Sequence, residues 1–127
     1  MEPAISLTLV ISGLINFLPI VGIFGSEKLD SLYGITIKDA DLLILMRHRA
    51  ILFGLIGTFM LASTWVKDWQ IPAMSIGLVS MLSFVGISQS TGTSNVSIKR
   101  IEVIDTILSI ALAVIFVYRV KGLLRGI

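Results

Sequence analysis

Four long apolar stretches, parted by short polar breaks, dominate this sequence and limit what it can fold into. A helix that crosses a bilayer needs about 20 mostly apolar residues. The stretches run from about Ala4 to Phe24, Leu42 to Trp65, Ile71 to Ser90 and Ile101 to Tyr118. They use most of the 127 residues and leave little for an extramembrane domain. Only 14% of the residues are charged, against about 25% in a soluble domain. Mean hydropathy is +0.97. This argues against a soluble globular enzyme and excludes a disordered chain. The expected fold is all-α: one integral membrane domain over residues 1–127, a bundle of four spans.

The first stretch reads as a retained span. Met1-Glu2-Pro3 carries no positive charge, the apolar run is long, and no small-residue cleavage site follows it. Trp65 and Trp69 flank the break between spans two and three, and Tyr118 ends the fourth. All three fall on one face, here face A, as interface anchors do. Face B then holds the breaks from Gly25 to Asp41 and from Thr91 to Arg100. Lys67, Arg119, Lys121 and Arg125 on face A balance Lys28, Lys38, Lys99 and Arg100 on face B. Positive charge therefore does not choose an orientation.

The longer face-B break has structure of its own. Ser26 is placed to cap a short helix with Glu27 in its first turn. Leu29, Leu32 and Tyr33 form an apolar edge, and Gly34 is a helix stop. A short interfacial helix between spans one and two is expected. Ile35-Thr36-Ile37 reads as extended, and Asp39 or Asp41 can cap the second span. Gly13–Ser26 and Gly77–Ser90 match at seven of fourteen positions, at an offset of 64. That spacing suggests a parallel duplication of two helical hairpins.

Charged groups within spans are functional suspects by default. Arg47 and Asp105 each fall about 9 Å below face B by helical rise. Asn16, Ser88, Gln89 and Glu102 fall at similar depth. Ala50, Gly54, Thr58 and Ala62 share a helical face with Arg47 within about 60°, a small-residue stripe of the kind that packs helices in lipid. Arg47 is therefore expected to point inward. Arg49 lies on another face with Phe53, Ile56 and Met60, which read as lipid-facing, and is expected to snorkel to the headgroups as an interface anchor. His48 lies between them and reads as a satisfied structural histidine. Two uses of the cluster stand open. One is an internal ion pair of Arg47 with Asp105 or Glu102. The other is a ligand site, in which the two acids take a cation or proton, as for binding or passage, or Arg47 holds a carboxylate or phosphate bidentately.

Other chemistry has no support. There is no cysteine and one histidine, which removes disulfides and multi-His metal clusters. No phosphate loop, dinucleotide fingerprint, nucleophile elbow or zinc-protease motif occurs. No cofactor or metal is expected, and the basic residues are too sparse for nucleic acid.

The run Leu32-Tyr33-Gly34, then Leu45-Met46-Arg47-His48-Arg49-Ala50 and Leu52-Phe53-Gly54, resembles a group of small bacterial four-helix membrane proteins without assigned activity, similar in layout to the DoxX-like family. Gly13 to Pro19 and the early Asp105 of the fourth span fit that layout. The resemblance implies a bundle in the bacterial cytoplasmic membrane. Members are sometimes labelled phosphopantetheine adenylyltransferase, a soluble enzyme marked by HxGH; this chain has no HxGH. The expected function is an accessory subunit, or a binder of a small amphiphile at the polar cluster. Alternatives are an oligomeric transporter or channel, and a membrane-embedded lipid or quinone enzyme. Expected partners are the bilayer, a second copy or another protein, and a small amphiphilic ligand.

Overall fold

The computed structural model describes residues 2–126, and among them the regular structure is entirely helical. Helix α1 (Glu2–Phe17) runs into a 3₁₀ segment, Leu18–Phe24. A short α2 (Ser26–Tyr33) follows, then α3 (Ala40–Ser63), α4 (Gln70–Thr91) and α5 (Val96–Arg125). A 3₁₀ turn, Lys67–Trp69, joins α3 to α4. Four helical stretches are long and apolar enough to cross a membrane: Glu2–Phe24, Ala40–Ser63, Lys67–Thr91 and Val96–Arg125. Each overlaps an expected span. The last extends to Arg125, beyond the expected end at Tyr118, because Val120, Leu123 and Leu124 keep the helix apolar past the basic residues.

The ends fall where local chemistry puts them. Asp39 caps α3, its carboxylate accepting from the Asp41 N–H at 2.8 Å. Asn95 caps α5, accepting from the N–H groups of Ser97 and Ile98 at 2.9 and 3.3 Å. Gly34 closes α2 in the left-handed conformation, at φ 65°, as its sequence position suggests. Ser26 does not cap α2. The cap position is Gly25, at φ 128°, and Ser26 is the first helical residue.

The proposed duplication takes two different shapes. Gly77–Ser90 lies within continuous α-helix, whereas its counterpart leaves α-helix after Phe17. Pro19 stands where the second copy has Ser83. Proline lacks the N–H and crowds the preceding turn, so the chain tightens into 3₁₀ geometry there. The segment then passes over α3, with Ile20 against Gly54.

Helix α3 packs on both sides. Gly57 lies against the α1 backbone at Gly13 and Phe17, and Met60 lies against Gly77 of α4. Helix α5 closes the arrangement against α4 and α1. Buried Ile5, Leu9, Met60, Met74, Met81, Leu112 and Ile115 form the main core. A second core of Leu29, Tyr33 and Ile37 sits under α2, against Leu43, Met46 and Ile101.

The two ends are pinned separately. At end A, Lys67 pairs with Glu2 at 3.5 Å, and Arg119 Nε donates to Gln70 Oε1 at 3.2 Å. Trp65, Trp69 and Tyr118 are exposed around this end, at 81%, 45% and 49%, where interface anchors were expected. At end B, Asn95 Nδ2 donates to the Tyr33 carbonyl at 2.8 Å, tying α2 to the start of α5. Asn95→Ala removes both the cap and this tie. The expected loss is about 1–2 kcal/mol from the cap, read as faster amide exchange confined to the first turn of α5 and to α2. Unchanged exchange in both places would refute the tie.

Candidate functional site

The site lies toward end B, where α2, α3, α4 and α5 meet. Arg49 is its centre. The guanidinium carbon is 4.6 Å from the ring centre of Phe53, 5.2 Å from Tyr33 and 5.9 Å from Phe84. These rings come from α3, α2 and α4. A cation over an aromatic face gains about 0.5–2 kcal/mol, most where water is excluded. Burial pushes the Tyr33 phenol above its ordinary range, against the opposing pull of the Arg49 guanidinium. The phenol is therefore a protonated donor at neutral pH. Among the described residues no carboxylate lies within 4.0 Å of Arg49, since the one ion pair of that length joins Lys67 to Glu2.

This reverses the expected roles of the two arginines. Arg47 is exposed and makes no ion pair with Asp105 or Glu102; its Nε donates to the Ile23 carbonyl at 2.7 Å. Arg49, expected to snorkel to the headgroups, turns into the protein. The reason is that α3 has two packing faces. Ala50, Gly54 and Gly57 face α1 and the 3₁₀ segment. Phe53, Ile56 and Met60, which the sequence assigned to lipid, face α4 and its neighbours. Arg49 lies within about 20° of Met60 on the helical wheel, so it shares that second interior face. Within the small stripe, Thr58 is exposed and Gly57 takes the buried place.

The other expected residues divide. Asp105 is buried, at 9% exposure, one turn above buried Ser109 on α5. Asn16 is 4% exposed, and its Nδ2 donates to the Ser12 carbonyl at 2.8 Å. The hydroxyls of Ser12 and Ser109 are buried without a partner among the described residues. Glu102 accepts from Ser88 Oγ at 2.7 Å, a direct link from α5 to α4. Gln89 and His48 are exposed and stand outside the cluster. The structure thus joins Arg49, Asp105 and Asn16, and adds Tyr33, Phe53 and Phe84.

Two hollows meet at Arg49, Phe53 and Phe84, which line both. The smaller, about 150 Å³, is also lined by Asn16, Tyr33 and Asp105. The larger, about 860 Å³, is an open groove between α3 and α4, walled by Phe53, Ile56, Ile76, Val79 and Ile87 with serines along one side. From the level of Phe84 it follows α4 down to Ser75, about 14 Å by helical rise. Toward end A, Phe59 meets Trp69 at 5.8 Å between ring centres, and Met60 covers Gly77 on the core side of α4.

Chemically, this is an apolar trough with a single cation on its wall and a polar chamber beside it. Compared with known proteins, the chain matches no family model, no curated protein and no solved structure.

Proposed function

We propose that this is an integral membrane protein, of the bacterial cytoplasmic membrane as the DoxX-like layout implies, that binds a small amphiphile. The polar end of the ligand sits at Arg49 and its apolar part lies in the groove between α3 and α4. One observation carries this: a guanidinium turned inward, held among three aromatic rings, with no carboxylate at ion-pair distance. A cation drawn away from water is costly unless something satisfies it. The rings meet part of that need. An acceptor on a ligand would meet the rest, by a charge-assisted hydrogen bond.

The groove supports the apolar half of the proposal. Its depth below Arg49, about 14 Å, is close to half of the roughly 30 Å hydrocarbon core. One chain from one leaflet has that reach. A lateral opening between two spans lets such a molecule enter from the bilayer without crossing a polar surface.

Native mass spectrometry of the protein released from mild detergent tests this. A stoichiometric added mass is expected on the wild type and on Arg47→Ala. Arg49→Ala should retain it at least about tenfold less, as loss of a bond to a charged group implies. Bare wild-type protein, or an added mass indifferent to Arg49, would overturn the proposal. A co-purifying protein in place of a small mass would point instead to an accessory subunit.

A further inference from the structure

The small hollow beside Arg49 narrows the ligand class. It is lined by Asp105, a carboxyl group 9% exposed with no hydrogen-bond or ion-pair partner among the described residues. A ligand with only an anionic head would satisfy Arg49 and bring a second negative charge next to Asp105. A ligand with a neutral head would leave both charged groups short of a partner. A head that carries an anion and a cation a few atoms apart complements both.

We infer that the amphiphile is a phospholipid with a zwitterionic phosphoethanolamine head, its phosphate on Arg49 and its ammonium in the chamber on Asp105. This rests on the amphiphile proposal and adds the identity of the head. The chamber volume of about 150 Å³ corresponds to roughly five water-sized groups at about 30 Å³ each. That accommodates an aminoethyl group. A primary ammonium has three donors. Asp105 takes one as a charge-assisted bond, and the Asn16 side-chain oxygen is a second acceptor on the same wall, since Asn16 spends its amide nitrogen on Ser12. Phe53 and Phe84 stand where the two hollows meet and keep water from the phosphate–guanidinium contact.

The test offers detergent-solubilised wild-type protein equal amounts of phosphatidylethanolamine and phosphatidylglycerol of matched chains, and reads the retained mass by native mass spectrometry. Phosphatidylethanolamine should be retained about tenfold over phosphatidylglycerol, the worth of one hydrogen bond to a charged group. Asp105→Asn, nearly isosteric, should abolish the preference and keep the phosphatidylglycerol signal. Phosphatidylethanolamine acetylated on its amine should bind wild-type protein no better than phosphatidylglycerol, a comparison that needs no variant to fold. Equal retention of the two lipids by the wild type would overturn the assignment of the head while leaving the amphiphile proposal intact. So would a preference that survives both Asp105→Asn and acetylation. Retention of neither lipid would overturn the assignment, and a stoichiometric mass of another kind on the same protein would show that the amphiphile proposal outlives it.

Discussion

Gly57→Ala is expected to destabilise the protein by about 1–3 kcal/mol, the usual result of forcing a carbon into a closed contact. A Cβ on Gly57 would lie 2.5 Å from the Phe17 nitrogen and 2.6 Å from the Gly13 carbonyl oxygen. Both are backbone atoms of the facing helix, so α1 itself must move. Gly54 is a milder case, because its nearest neighbour is the Ile20 Cδ1 at 2.5 Å, the tip of a flexible side chain. Gly86 has open space around it. There the same substitution should be neutral or add about 0.5–1 kcal/mol, from glycine's greater loss of freedom in a helix. Thermal unfolding in detergent, followed by helical circular dichroism, should rank Gly86→Ala at or above wild type, then Gly54→Ala, then Gly57→Ala. A Gly57→Ala protein that melts with the wild type would mean that α1 and α3 do not approach at this point.

Met60→Ala should cost more, about 2–5 kcal/mol, as a fully buried methionine truncated to alanine. Met60 is 0% exposed, and its Sδ and Cε lie 2.9 and 2.7 Å from where a Gly77 Cβ would be. Gly77→Ala alone therefore collides with a movable side-chain end and should cost less than Met60→Ala. In the Met60→Ala background the same methyl group enters space the methionine vacated. The two substitutions should couple favourably by roughly 0.5–3 kcal/mol, the range for residues in contact. A double-mutant cycle on unfolding free energy checks this, and strict additivity would show that the two residues do not touch.

Asp105 and Asn16 were legible in the sequence, and the residues that were not escaped it for separate physical reasons. Asp105 and Asn16 were found because a polar group deep in an apolar run stands out, and their faces were shared with Ser109 and Ser12 as the helical period requires. Arg49 was misplaced because the angular test treats a helix as having one interior face. Helix α3 has two, since it touches α1 on its glycine side and α4 on its Phe53–Met60 side. Bulky residues face lipid in some bundles and neighbours in others, and composition does not separate the cases. A second signal was present: Phe53, Ile56 and Met60 continue below Arg49 at helical spacing. Tyr33 and Phe84 carried none, because they reach Arg49 from other elements. His48 and Gln89 were drawn in by depth alone, and depth does not set direction.

The sequence by itself determined the number of long helices, their approximate limits, the short helix between the first two and the grouping of the aromatic anchors at one end. These follow from apolar run length, capping residues and glycine stops, all properties of neighbouring residues in the chain. Tertiary structure alone decided that the 3₁₀ segment Leu18–Phe24 packs on α3, that Arg49 rather than Arg47 enters the interior, and that α3 and α4 part to leave a groove. Those outcomes depend on which helix meets which face, and so on contacts between residues tens of positions apart.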